Sequence, residues 1–257
     1  MGIPIVVVAF GTTTKALDTY RFMDSIFRNR FKGHRIEWAY SSRLVRDFIK
    51  AGTDVSLRTP RDVISGLSRE GNEWVVVQSL HLICGHEFYR MVEEVRGLSI
   101  RSSIGLPLLT EPRDYYDVAE AFRCFVLEDQ QTAYVFVGHG TDHPSWTSYV
   151  ALERIMNEVI GENTFVGVIE GVPSRDDLIK RVCERGFESV NLIPLMLVAG
   201  RHYYEDLAGK GNSWKEAFER AGRRVRVEER GIGYLTDVVE IFSRHIEEAL
   251  DLIPSHS

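Results

Sequence analysis

The chain has no long apolar run, no paired cysteines and no excess of positive charge, and each absence removes a class of function. No uninterrupted apolar stretch approaches the roughly 18 residues that a bilayer-spanning helix needs, so no membrane partner is expected. The three cysteines, Cys84, Cys124 and Cys183, are odd in number, far apart and never in CxxC spacing. Neither a disulfide framework nor a cysteine zinc site is expected from them; reduced, buried thiols are. The formal net charge is −6. That argues against a nucleic-acid partner, which would call for a basic face. The amino terminus has no basic n-region and no small-residue cleavage site, and a strand-like run begins three residues in. The resulting expectation is a cytoplasmic location. Neither a Walker A sequence nor a GxGxxG is present in the first βα turn, which lowers the case for a nucleotide-dependent enzyme. What remains is an ordinary globular composition, 44% hydrophobic and 26% charged, in a chain of 257 residues. That is length enough for one large domain or two small ones.

The chain repeats itself. Ile5-Val6-Val7-Val8-Ala9-Phe10-Gly11-Thr12 returns as Tyr134-Val135-Phe136-Val137-Gly138-His139-Gly140-Thr141. Each copy is a β-branched and aromatic run halted at a glycine turn, the pattern of a buried parallel strand delivering a loop. Phe10 in the first copy stands where His139 stands in the second. A second pair matches Trp74–Tyr89 to Ser189–Tyr204. Here Gly85 falls on Gly200, Glu87 on His202 and Tyr89 on Tyr204.

Strand candidates alternate with helix candidates throughout. Strands are expected at Pro4–Ala9, Arg35–Tyr40, Trp74–Leu80 and Ile100–Leu106, then at Ala133–Val137, Phe165–Ile169, Val190–Leu195 and Val225–Arg230. Between them, Thr14–Phe31 carries apolar residues near helical spacing. Thr59-Pro60 and Ser174 read as helix starts, with Thr59 and Ser174 as caps. Asp114–Leu127 and Tyr234–Leu252 close the two halves. Repeated β-α alternation implies an α/β protein of two similar doubly wound domains, each a mainly parallel four-stranded sheet flanked by helices. The polar stretch Glu128-Asp129-Gln130-Gln131 sets the expected division, residues 1–129 and 130–257, with the last helix free to pack on the first domain. In such folds ligands bind beyond the carboxyl ends of the strands.

Three residues of the second half end strands there. His139 lies in Gly138-His139-Gly140-Thr141, Glu170 follows Phe165–Ile169, and His202 follows the apolar run Leu192–Ala199 and Gly200. Taken singly, each has an ordinary reading: a turn histidine, a solvated loop carboxylate, a loop histidine. Together, two imidazoles and a carboxylate suit a divalent first-row cation. Their separation of roughly thirty residues is too wide for a helical motif such as HExxH and suits successive βα loops. His81, inside an apolar strand, reads as a core histidine. His86 and Glu87 follow Gly85 and are expected at the same edge of the first half. Asp142-His143 continues the His139 loop and is a candidate for outer-shell support of the metal. Ala9–Thr14 could present amides and hydroxyls to an anion.

The ordered set VVVAFGTT, VQSLHLICGHEFY, GHGTDH, VIEGVP and LIPLMLVAGRHYYEDLAG followed by NSWK resembles the anaerobic sirohydrochlorin cobaltochelatases over nearly the whole chain. The resemblance implies the two-domain chelatase fold and insertion of Co²⁺ into sirohydrochlorin, in the synthesis of cobalamin, with release of two protons. It implies that His139, Glu170 and His202 hold the metal, and that His139, Glu170 and Glu87 form the catalytic set. Thr12, Thr13, Arg201 and Lys210 are then expected to meet substrate carboxylates, and Tyr89, Tyr203 and Tyr204 to pack on or beside the ring. His86 and Arg201 depart from relatives that are often acidic there, making a more basic rim. The partners implied are a sirohydrochlorin-type tetrapyrrole and a divalent metal as substrate, with no tightly bound cofactor. Imidazole and carboxylate accept Co²⁺, Fe²⁺ and Ni²⁺ alike. A sirohydrochlorin ferrochelatase and a non-catalytic tetrapyrrole or metal carrier therefore stand as alternatives, and a homo-oligomer is compatible with all of them.

Overall fold

The structure is a computed structural model that describes residues 2–11, 17–41, 58–127, 129, 131–200 and 203–254, with backbone alone for 203 and 204. In the first half, β1 (Ile5–Ala9), β2 (Ile36–Tyr40), β3 (Trp74–Ser79) and β4 (Arg101–Gly105) form one sheet in the order β2-β1-β3-β4. In the second, β5 (Thr132–Gly140), β6 (Thr164–Glu170), β7 (Ser189–Pro194) and β8 (Arg224–Val227) form another in the order β6-β5-β7-β8. Every pairing is parallel. The doubly wound α/β class expected from the sequence is what is found, in duplicate.

The sequence repeat extends to register. Ile5 pairs with Val76 in the first sheet, and Tyr134 pairs with Asn191 in the second. The two sequence alignments superimpose those same residues, Ile5 on Tyr134 and Val76 on Asn191. The core follows. Val6, Val8, Val75 and Val77 make one face of the first sheet and are buried with helix residues Val63, Ile64, Leu67, Phe88, Met91 and Val95. Their counterparts Val135, Val137, Val190 and Leu192 are buried with Leu178, Val182, Trp214 and Phe218. Each fully buried side chain of this size contributes about 1.5–3 kcal/mol.

The helices are α1 (Leu17–Arg30), α2 (Pro60–Arg69), α3 (His86–Arg96), α4 (Pro112–Phe122), α5 (Thr147–Val159), α6 (Arg175–Glu184), α7 (Trp214–Arg220) and α8 (Thr236–Asp251). Both expected caps are made. The Thr59 hydroxyl accepts from Asp62 N at 2.9 Å while Asp62 accepts from Thr59 N at 3.1 Å, a reciprocal capping box. The Ser174 hydroxyl accepts from Asp177 N at 3.3 Å. In the NSWK segment, Ser213 caps α7 and Trp214 is buried over Gly167, where a Cβ would sit 2.4 Å from Trp214 Cη2.

Two elements stop earlier than their patterns suggest. The strand expected over 225–230 ends at Val227, because the Glu228 carboxylate takes the amides of Glu229 and Arg230 at 3.1 and 3.2 Å and turns the chain. The helix expected over 114–127 ends at Phe122 and tightens into a 3₁₀ turn, Arg123–Phe125. The tighter turn brings both Phe122 and Phe125 onto Phe136, stacked at 4.8 Å and edge-on at 6.0 Å.

Packing divides the chain into two compact units, residues 1–110 with 239–257, and residues 111–238. The polar stretch 128–131 lies inside the second unit. In that unit α4 delivers Phe122 to β5. In the first, α8 returns to α1, where Arg30 pairs with Glu247 at 2.9 Å, and His245 Nδ1 lies 3.0 Å from the Leu106 carbonyl oxygen. No helix among the described residues is long and apolar enough to cross a membrane.

Candidate metal centre

In each sheet the direction of winding reverses between the two central strands, β1 and β3 in the first and β5 and β7 in the second. Crevices beyond the carboxyl ends of such strands are where open α/β sheets bind ligands. β5 runs past the end of β7, whose Pro194 pairs with Val137, and Gly140 pairs with Glu170, the last residue of β6. His139 and Glu170 therefore sit one residue out of step on adjacent strands whose backbones run about 4.8 Å apart, at alternate positions from which the side chains start toward opposite faces of the sheet. Both are exposed.

The glycines flanking His139 are fixed by contact. A Cβ on Gly138 would lie 2.6 Å from the Tyr149 ring. Gly140 has φ +92°, and a Cβ there would lie 1.8 Å from the Glu170 carbonyl oxygen. Gly171, at φ +96°, places its own missing Cβ 3.3 Å from the Thr141 carbonyl oxygen. The loops after β5 and β6 thus touch backbone to backbone, which holds His139 and Glu170 as neighbours. Tyr149 of α5 secures the turn, its Oη accepting from Gly140 N at 3.3 Å, and burial pushes its phenol pKa up. Nothing in the local sequence announces Tyr149; only the pair of glycines hints that something large lies against them.

The same loop gives His143 a local task. Its Nδ1 accepts from Ser145 N at 3.2 Å and caps the 3₁₀ turn Pro144–Trp146 that leads into α5. That bond requires Nδ1 unprotonated. His139 Nδ1 approaches the Gly140 carbonyl oxygen at 3.4 Å, a long contact that favours the tautomer with Nε2 available to a metal.

His202, the third expected ligand, lies outside the described residues, as do Arg201, Thr12, Thr13 and the side chain of Tyr203. Among the described residues no group of three or more His, Cys, Asp or Glu is placed to hold a metal ion. Of the three expected ligands, the described structure places the backbones of His139 and Glu170 at the same edge of the second sheet.

In the first unit Glu87 is the second residue of α3, where the helix dipole favours a carboxylate. Its Oε1 accepts from Arg90 Nη1 at 2.7 Å, while Oε2 is buried without a hydrogen-bond partner. Its neighbours His86 and Tyr89 are exposed. His81 follows β3, its Nδ1 2.8 Å from Ser79 Oγ and its Nε2 sealed from solvent without a partner. The residue as a whole is only half-buried, but the ring nitrogen is inaccessible. Desolvation pushes its pKa down to about 4, which keeps it neutral at physiological pH. Surface hollows of about 380 and 880 Å³ in the second unit are lined from the amino ends of the strands, by residues such as Thr132, Ser189, Asn163 and Phe187. Seven residues of β5 separate Thr132 from His139, about 23 Å of strand, so neither hollow belongs to the candidate site.

This arrangement, two winding reversals with metal-compatible side chains beyond one of them, has counterparts. A sequence profile described as "Cobalt chelatase (CbiK)" matches residues 4–251. The chain belongs to the cobalt chelatase (CbiK) family. It is 33% identical over 219 residues to the sirohydrochlorin cobaltochelatase of Salmonella typhimurium, covering 83% of each chain. It is 30% identical over 261 residues to the sirohydrochlorin cobaltochelatase CbiKC of Nitratidesulfovibrio vulgaris, covering 97% of this chain and 91% of that one. Among solved structures, SirB from Bacillus subtilis with Fe3+ shares the fold. It superimposes at a TM-score of 0.65 and 15% identity over 97% of this chain and 96% of that chain.

Proposed function

We propose that this member of the cobalt chelatase family is a sirohydrochlorin cobaltochelatase, a lyase that inserts Co²⁺ into sirohydrochlorin with release of two protons. The observation that carries the reading is the match to the cobalt chelatase family over residues 4–251, with His139 and Glu170 at the ends of adjacent strands. His139, Glu170 and His202 hold the incoming Co²⁺ through imidazole nitrogen and carboxylate oxygen. The metal is substrate, so the site has to bind it and then let it go. Exposed side chains at strand ends, as His139 and Glu170 are, suit that better than a closed four-ligand cage. Both pyrrolic protons of the macrocycle leave as the metal enters, one to Glu170 and one to Glu87, the second residue of α3. Thr12, Thr13 and Arg201 pair with the substrate's carboxylates, and Tyr89 and Tyr203 flank its ring.

An anaerobic spectrophotometric assay tests this. Sirohydrochlorin with Co²⁺ should be metallated at a rate that His139→Ala and His202→Ala each abolish. Stoichiometric binding without turnover would leave a carrier instead. Preferential turnover with Fe²⁺ would leave a ferrochelatase. Normal insertion by both histidine variants would refute the ligand assignment.

A further inference from the structure

Sequence and register make Phe10 the counterpart of His139. The repeat aligns them, Ile5 and Tyr134 occupy equivalent rungs, and the following glycines Gly11 and Gly140 share the same turn, with φ of +103° and +92°. The strand leading to Phe10 is wholly buried through Val8 and Ala9, yet Phe10 itself is 48% exposed. Tyr89, two residues beyond Glu87 on α3, is 49% exposed at the same carboxyl edge. A phenyl ring can coordinate no metal. The first copy of the strand-end turn therefore presents a flat apolar surface where the second presents a ligand. A half-exposed phenyl group at a strand-end turn suits a substrate with a broad unsaturated face more than it suits an ion.

We propose that Phe10 is a substrate-contacting residue that packs on the tetrapyrrole macrocycle and takes no part in binding the metal. This rests on the chelatase reading above and adds to it a residue that binds the macrocycle alone. Covering the exposed half of a phenylalanine side chain corresponds to roughly a tenfold gain in affinity.

The test is a titration of metal-free sirohydrochlorin, followed by absorbance, against the wild type, Phe10→Ala and Phe10→Trp. Phe10→Ala should weaken binding roughly tenfold and raise KM for the tetrapyrrole rather than lower kcat. Phe10→Trp, which keeps a flat ring, should stay within about threefold of the wild type. Calorimetric Co²⁺ binding in the absence of tetrapyrrole should be unchanged in both, and the melting temperature of Phe10→Ala should match the wild type within a few degrees. If Phe10→Ala binds the macrocycle within about threefold of the wild type, the proposal is overturned. If Phe10→Trp loses as much as Phe10→Ala, stacking is overturned. Loss of Co²⁺ binding in Phe10→Ala would equally refute it. A wild type that neither binds nor metallates sirohydrochlorin would instead remove the chelatase reading itself.

Discussion

Replacing Gly140 by alanine adds one methyl group at the place where the loops after β5 and β6 meet. Two costs follow, and they can be separated. The backbone at Gly140 has φ +92°, a left-handed conformation that costs an L-residue about 1–2 kcal/mol. The new Cβ would also start 1.8 Å from the Glu170 carbonyl oxygen, which is strand backbone and cannot swing aside. Forcing such an overlap apart costs typically 1–3 kcal/mol. The sum is about 1–4 kcal/mol, after allowing about 1 for the stiffer unfolded chain of alanine. Gly186 is the control. It lies in the same unit at φ +79° with nothing within 4 Å of its Cβ position, so Gly186→Ala keeps the conformational cost and drops the clash. Urea unfolding of both variants should place Gly140→Ala lower by about 1–3 kcal/mol. Co²⁺ affinity should fall in Gly140→Ala, because moving the Glu170 backbone moves its carboxylate, and should hold in Gly186→Ala. Equal stability of the two variants would mean that the loops after β5 and β6 do not meet as described.

Burial keeps His81 neutral in the folded protein, with its pKa near 4 against 6.5 in the unfolded chain. Its contribution is therefore complete above pH 6.5 and is lost as pH falls through the window from 6.5 to 4, by up to about 3 kcal/mol; His81→Asn should flatten that part of the stability–pH curve, and an unchanged curve would contradict the burial of the imidazole. Trp214→Ala opens the space over Gly167 and should cost about 3–5 kcal/mol in urea unfolding; a loss below about 1 kcal/mol would show the indole is not core. Glu87→Gln keeps shape and removes the proposed proton acceptor, so kcat for cobalt insertion should drop on the order of a hundredfold while Co²⁺ binding is retained. A kcat equal to the wild type's would move the acceptor elsewhere.

Much of this protein was legible in local pattern. The β-branched runs ending at glycine, the duplicate spacing and the caps at Thr59 and Ser174 are short-range features, and each formed as its residue types require. Even the register followed, because a buried strand has few ways to place Val6, Val8 and their counterparts on one face. Gly138, His139 and Gly140 could be picked out in the same way, since a histidine between two glycines at a strand end is visible one residue at a time. The identity of what presses on those glycines was not visible. Tyr149 approaches from the next helix and the Glu170 carbonyl from the next strand, and no window of sequence contains both partners. Nor was it visible that His143, read as outer support for a metal, also caps a 3₁₀ turn by accepting a backbone amide two residues on.

The sequence by itself determined that there would be two alike parallel sheets, and which residues would stand at their carboxyl edges. Periodicity and turn chemistry are enough for that. Only the tertiary structure decided which helices cover which sheet, with Phe122 of α4 stacked on Phe136 of the second sheet and α8 returned to α1 of the first. An amphipathic helix records that it needs an apolar partner; it does not record which one, and that choice is made by the shape of the surfaces left uncovered when the strands have paired.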